Sequence, residues 1–265
     1  MIHNPEIECM SREDMHKLQS ERLIKTVKTC YDKVPFYRRK MDELGVKPED
    51  IQSIDDIHKL PFTTKHDLRD EYPFGLQAVP MSDVRRIHAS SGTTGKPVVG
   101  TYTENDLANW AEGAARVLAV AGTGKGDVVQ VSYGYGLFTG GLGAHDAVKA
   151  LGAIQLPTSA GNSEKQIMLM QDFGTSVLCC TPSYALHLAE VIEDSDKVNV
   201  RNLKLRAGFF GAEPWTEGMR KELEVKLGIK AYDIYGLTEM SGPGVGGECE
   251  YQDGTHLWED MFYPE

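Results

Sequence analysis

The sequence predicts an α/β protein with mostly parallel sheets flanked by helices, entered through a helical N-terminal lead-in. Three observations lead there. From Pro97 onward, short apolar runs alternate with amphipathic segments of helical spacing, which is the pattern of βαβ units. Three of the turns that follow apolar runs are dense in glycine, aromatic, hydroxyl and carboxylate groups, and parallel sheets hold ligands at the carboxyl ends of their strands. Residues 1–80, by contrast, show no alternating strand pattern. The predicted division is therefore a helical lead-in over 1–80 and an α/β part over 81–265.

Taken in order, Ser11 to Leu44 is mostly helical, with Met15, Leu18, Leu23, Ile24, Val27 and Tyr31 largely three to five residues apart. Ser11 followed by Asp14 resembles a helix start. Val34-Pro35-Phe36-Tyr37 breaks this helix and Arg38 to Leu44 restarts it. Asp55 to Leu60 reads as a short helical turn, and Pro61 forces Leu60 extended. Strands are predicted at Pro97–Tyr102, Asp127–Ser132, Ala153–Pro157, Ser176–Cys180, Leu205–Phe210 and Lys230–Ile234. Between them fall helices at Thr103–Ala121, Gly140–Leu151, Glu164–Phe173, Ser183–Glu193 and Thr216–Leu227, with Thr103 as a cap. No repeat of fixed period is present.

Composition narrows the function classes. The chain has 265 residues, 41% of them hydrophobic, enough for a substantial core. Lys plus Arg number 28 against 39 Asp plus Glu, a net charge of -11 that disfavours nucleic acid as a partner. No run approaches the roughly 20 apolar residues of a membrane span, and Met1 to Arg12 carries no basic-then-apolar leader. A cytoplasmic location is expected. The five cysteines, Cys9, Cys30, Cys179, Cys180 and Cys249, are odd in number and scattered, unlike a disulfide framework, and are read as reduced.

The strongest local motif is Ser90-Ser91-Gly92-Thr93-Thr94-Gly95-Lys96-Pro97. Glycines let backbone N–H groups turn inward, and hydroxyls and an ammonium add donors around the same anion, so the loop reads as a phosphate holder. It is not the common NTPase loop, which has four residues between its glycines and Ser or Thr after the lysine; here two residues separate Gly92 from Gly95, and Pro97 follows Lys96. A polar hairpin turn is the plainer alternative.

Three further loops follow predicted strands. Gly211-Ala212-Glu213-Pro214 suits close backbone approach and supplies one carboxylate; the alternative is a turn whose acid favours a helix N-terminus. Asp233-Ile234-Tyr235-Gly236-Leu237-Thr238-Glu239 packs an aromatic, a glycine, a hydroxyl and two carboxylates together. Its ring could stack on a purine, and its Thr-Glu pair could serve a phosphate oxygen and Mg²⁺. Tyr133 to Gly141 alternates aromatics with glycine, as the wall of a flat apolar pocket does, or as ordinary aromatic core. Cys249 and His256 lie in one turn-rich stretch and offer two zinc donors, where a structural site takes four. A loop without metal is the plainer reading of the pair.

With these loops in place, nearly the whole chain resembles the phenylacetate–coenzyme A ligases, a branch of the adenylate-forming acyl-CoA synthetase superfamily. The likeness runs through Val34 to Arg39, Leu60 to Arg69, Tyr72 to Leu76, Ala89 to Pro97, Tyr133 to Gly143, Thr181 to Tyr184, Gly211 to Trp215, Tyr235 to Glu239, His256 to Asp260 and Phe262 to Glu265. The phosphate loop and Tyr-Gly-Leu-Thr-Glu belong to the superfamily; the lead-in and the Tyr133 loop belong to the phenylacetate branch.

The resemblance implies a two-step reaction. An arylacetate carboxylate attacks the α-phosphate of ATP, pyrophosphate leaves, and the thiol of coenzyme A attacks the acyl-adenylate. It makes 81–265 the nucleotide- and carboxylate-binding part of a large domain. By motif position, Ser90, Ser91, Gly92, Thr93, Thr94, Gly95 and Lys96 bind phosphates, and Gly211, Ala212, Glu213 and Pro214 line the adenine and acyl pocket. Asp233, Ile234, Tyr235 and Gly236 complete the nucleotide site, Thr238 contacts the α-phosphate, and Glu239 holds Mg²⁺. Lys96, Thr238 and Glu239 are thus the expected catalytic residues, while Tyr133, Tyr135, Phe138 and Gly140 face the aromatic ring.

The expected small-molecule partners are the arylacetate, ATP and coenzyme A, and a homodimer is left open. The family continues past the equivalent of Glu265 with a ribose-binding aspartate, a hinge and a small mobile domain bearing a lysine. The chain is therefore expected to be the large-domain portion, with weak catalysis by itself. The competing readings are a non-catalytic nucleotide-binding module and a structural subunit whose glycines are only turns.

Overall fold

The computed structural model describes residues 1–90, 95–196 and 198–265, so Ser91, Gly92, Thr93 and Thr94 of the phosphate loop lie outside the described residues. The chain forms two compact units, one of Asn4–Leu107 with Trp258–Glu265 and one of Ala108–Leu257 with Met1–His3.

The first unit holds the helices α1 (Pro5–Glu8), α2 (Arg12–Lys33), α3 (Pro35–Glu43) and α4 (Lys65–Asp70) and the strands β1 (Arg86–Ala89) and β2 (Val99–Tyr102). The Asp14 N–H donates to the Ser11 hydroxyl at 3.1 Å and starts α2, as a cap should. Pro35 ends it, because the residue before proline is driven extended, and Val34 sits at φ -116°, ψ 102°. The same proline serves as the first residue of α3, where its missing N–H costs nothing. Val27, Met41 and Ile51 form a small core with Leu23, Tyr31, Val46 and Leu60 around it. The returning segment binds α2: Arg12 pairs with Glu259 at 2.5 Å and Gln19 Nε2 donates to the Glu259 carbonyl at 2.9 Å. The strands β1 and β2 are antiparallel, with Ala89 opposite Val99.

The second unit is the predicted alternation. After α5 (Glu104–Ala119) come β3 (Val128–Val131), α6 (Thr139–Ala150), β4 (Ile154–Leu156), α7 (Ser163–Asp172), β5 (Val177–Cys180), α8 (Pro182–Glu193), β6 (Ala207–Phe210), α9 (Glu217–Leu227), β7 (Lys230–Leu237), β8 (Gly242–Glu248) and β9 (Thr255–Leu257). They build one sheet in the order β4-β3-β5-β6-β7-β8-β9. The first five strands are parallel, and β8 and β9 are antiparallel. Right-handed crossovers place α6 on one face and α7, α8 and α9 on the other. On the latter face Ile167, Met170, Leu188, Ile192, Leu223 and Leu227 pack over Leu178, Phe210 and Ala231. On the α6 side, α5 lies against β8: Trp110 Nε1 donates to the Pro243 carbonyl at 2.8 Å. Gly244, at φ +99°, has room for no side chain there, since a Cβ would stand 2.6 Å from Ala114 Cα.

Two features differ from the sequence reading. The strand predicted to end at Ile234 runs on through Tyr235 to Leu237, because β8 pairs with it and extends β7, with an irregularity between Tyr235 and Gly236. The strands β1, β8 and β9 carry no alternating pattern that would have revealed them; β8 is Gly-Pro-Gly-Val-Gly-Gly-Glu. Among the described residues no helix is long and apolar enough to cross a membrane, and the five cysteines are free.

Candidate active site

The chain leaves β3 to form β4 on one side, then returns to form β5 on the other, so the strand order reverses between β3 and β5. Such a switch point opens a crevice at the carboxyl ends of the strands. The loops that leave this edge are the ones singled out in the sequence.

After β3, Tyr133 is buried. Burial pushes this phenol well above its ordinary value. Tyr135 is half-buried, its ring edge-on to His145 with centroids 6.0 Å apart, and desolvation raises its phenol too. The Tyr135 N–H reaches the Ser159 hydroxyl at 3.4 Å. Phe138 is 40% exposed, and its ring covers the buried Gly140 at the start of α6.

After β6, Gly211 is buried, while Ala212 takes a left-handed φ of +70°, a conformation costly for a residue with a Cβ. Glu213 does not stand free: the Ser183 N–H at the start of α8 donates to its Oε1 at 2.7 Å. Pro214 is exposed and Trp215 half-buried.

On β7, Asp233 is half-buried and receives the Trp215 Nε1–H at Oδ1, 3.0 Å. Burial holds its carboxyl above the ordinary value, with Glu248 adding to the effect and the Trp215 hydrogen bond and Arg220 opposing it. Ile234 is half-buried and Tyr235 is 48% exposed. Gly236 needs its hydrogen because β8 crosses so closely; a Cβ would lie 2.6 Å from Pro243 Cα. Thr238 and Glu239 sit in a single 3₁₀ turn, Thr238–Met240, with Glu239 exposed. The side chains of Tyr235, Thr238 and Glu239 carry no hydrogen bond or ion pair among the described residues.

In the other unit, β1 and β2 frame the phosphate loop. The Ser90 N–H donates to the Val98 carbonyl at 2.9 Å and the Val98 N–H to the Ser90 hydroxyl at 2.9 Å, which closes the base of the loop. Gly95 is at φ +137°. Lys96 is exposed, with Nζ 5.2 Å from the centre of the Tyr72 ring.

Sequence reasoning assigned no role to Trp215, Arg220, Glu248, Ser183 or His145. Arg220 meets Glu248, and Trp215 meets Asp233, only across the fold, which no spacing reveals. For metal, a lone exposed carboxylate suits Mg²⁺, which takes one or two protein oxygens beside water and phosphate; Glu239 meets that requirement. Zinc fares differently. Cys249 is half-buried and His256 exposed, and among the described residues no group of three or more His, Cys, Asp or Glu gathers that could hold a metal ion.

Comparison with known proteins agrees with this architecture. The chain is 54% identical over 260 residues to the phenylacetate-coenzyme A ligase of Escherichia coli, which covers 98% of this chain and 60% of that protein. It is 52% identical over 266 residues to the phenylacetate-coenzyme A ligase of Thermus thermophilus, covering 100% of this chain and 60% of that protein. It thus spans about three fifths of the length of the curated relatives it matches. Among solved structures, a 2-hydroxyisobutyryl-CoA ligase in complex with 2-HIB-AMP and CoA, in its thioesterification state, matches with a TM-score of 0.90 and 32% identity, over 96% of this chain and 56% of that chain. The resemblance to phenylacetate–coenzyme A ligases and the adenylate-forming fold are both borne out. The family pattern for AMP-binding enzymes covers residues 7–257, and the chain belongs to that family.

Proposed function

We propose that this chain is the nucleotide- and acid-binding portion of a ligase that joins phenylacetate, or a related arylacetate, to coenzyme A through an acyl-adenylate. The observation that supports it most is the 54% identity to a phenylacetate-coenzyme A ligase across 98% of the chain. The chemistry suits the residues. A carboxylate is a poor electrophile, and bonding its oxygen to the α-phosphorus, with loss of pyrophosphate, gives it AMP as a leaving group. The coenzyme A sulfur then bonds to the acyl carbon and AMP departs with the electron pair. The protein's task is to neutralise and align phosphates.

In this reading Lys96 and the hydroxyls of its loop bind phosphates, and Thr238 donates to the α-phosphate. Tyr235, open on one face, stacks on the base, and Asp233, Gly211 and Ala212 border it. Tyr135 and Phe138 meet the aromatic ring of the acid, over a floor kept low by Gly140. Glu239 holds Mg²⁺, which when bound draws charge from the phosphates. The pools of ATP and coenzyme A it draws on place it in the cytoplasm.

The test is binding of two non-hydrolysable acyl sulfamates of adenosine, one phenylacetyl and one acetyl. The extra ring is worth about 2 kcal/mol at roughly 25 cal/mol per Å² of buried area. The phenylacetyl compound is therefore expected to bind at least about tenfold tighter. Equal affinity for the two would refute the arylacetate assignment, and no binding of either would refute the nucleotide assignment.

A further inference from the structure

Behind β7 lies a charged cluster that the reaction does not use directly. Arg220 of α9 and Glu248 of β8 are both buried and meet in a two-pronged pair, Nη1 to Oε2 and Nη2 to Oε1, each 2.7 Å. Arg220 Nη1 also donates to the Ala231 carbonyl at 2.7 Å, and its Nε donates to Glu217 at 2.9 Å. Both ends of Asp233 terminate on this cluster. Its N–H donates to Glu248 Oε2 at 2.8 Å, and its carboxylate receives the Trp215 indole N–H at 3.0 Å. That indole in turn lies on the Arg220 guanidinium, 4.6 Å from ring centre to Cζ.

A buried ion pair gains little over apolar packing of the same shape, because desolvation offsets its attraction. Stability therefore does not account for one at this place, whereas fixed geometry does. The guanidinium is flat, so one face can support an indole while its edge forks onto a carboxylate. We infer that Trp215, Arg220 and Glu248 are positioning residues: the pair sets the β7 backbone and the plane of the indole, and the indole N–H aims the Asp233 carboxylate into the nucleotide site. The inference rests on the reading that Asp233 meets the nucleotide. The charged and titratable groups that face Asp233 are Glu248 from β8, Arg220 from α9 and Tyr133 from the loop after β3, with the Ile234 N–H alongside.

Trp215→Phe isolates the claim, since it keeps an aromatic ring over Arg220 and removes the N–H. ATP affinity is measured by calorimetry for the unmodified chain, Trp215→Phe, Asp233→Ala and the double variant, with a melting curve for each. Losing one hydrogen bond that aims a charged group is expected to weaken ATP about fivefold. In the Asp233→Ala background the same change is expected to do nothing further, because nothing is left to aim. Carbon NMR of the Asp233 carboxyl is expected to show it titrating at higher pH in Trp215→Phe, as a donor to the carboxylate has gone. Arg220→Lys keeps the charge and loses the flat support, and is expected to show the same dependence on Asp233.

If Asp233→Ala weakens ATP while Trp215→Phe and Arg220→Lys leave it unchanged, the positioning role is wrong and the nucleotide reading stands. Equal losses with and without Asp233 also overturn it, as the effect would then be merely structural. If Asp233→Ala folds and binds ATP as before, or the unmodified chain binds none, the nucleotide reading of Asp233 falls and the inference with it.

Discussion

Asp233 and Glu239 stand six residues apart in one stretch of chain, yet their surroundings differ in kind. Asp233 lies where β7 is paired on both sides, half-buried, with its N–H on Glu248 and its carboxylate on Trp215. Glu239 lies past the end of β7, exposed, in a one-turn helix, and its side chain meets no partner among the described residues. Glu213 belongs with Asp233, since its carboxylate receives the Ser183 N–H at 2.7 Å. Residues that share a motif thus divide into framework, whose polar groups the fold itself holds in place, Asp233 among them even where it borders a ligand, and groups to which the fold gives no partner. The framework carries its cost in folding; the open groups cost folding nothing and keep their polar atoms unpaired.

Substitution separates the two classes, beginning with the deepest framework. Arg220→Met leaves Glu248 buried without its partner, which costs about 3–5 kcal/mol. The midpoint of urea unfolding is expected to fall accordingly, and adding Glu248→Leu is expected to recover most of the loss. Recovery sharpens the comparison, because it shows that the pair is kept for position. If Arg220→Met alone proved neutral, the buried cluster would not be framework at all. Glu213→Ala removes one acceptor at the start of α8 and is expected to cost about 1 kcal/mol in the same assay. Thr181, whose hydroxyl accepts the Tyr184 N–H at 3.3 Å, keeps the other cap in place.

Much of this architecture was legible from the sequence, and what was not has physical causes. The strands from β3 to β6 are short apolar runs between helices of clear period, so pattern and tertiary structure agree. The strand β8 was hidden because its glycines read as turn, and glycine weakens a strand taken alone. Here the close approach of α5 and of β7 selects glycine, as Gly244 against Ala114 and Gly236 against Pro243 show. The extension of β7 was hidden for the same reason, since it depends on β8. Of the candidate site, the groups that the fold leaves unpartnered were the ones local composition singled out: Tyr235, Thr238 and Glu239 stand within five residues. The framework was not, because Trp215, Arg220 and Glu248 meet only through packing of α9 on the sheet. The structural commitment of Glu213 was equally invisible, as Ser183 lies 30 residues away.

The open class is tested most directly by Glu239→Gln, assayed for two properties on the same samples. One is the melting temperature, and the other is the gain in ATP affinity on adding Mg²⁺. A carboxylate with no protein partner is expected to leave stability within about 0.5 kcal/mol of the unmodified chain. Loss of a charged oxygen ligand is expected to abolish most of the Mg²⁺-dependent gain, at least about tenfold, because Mg²⁺ takes so few ligands from protein. That outcome, an unchanged melt with the Mg²⁺ effect gone, is the one this account predicts. A lowered melting temperature with the Mg²⁺ effect intact would contradict it, and would place Glu239 with Asp233 and Glu213 in the framework.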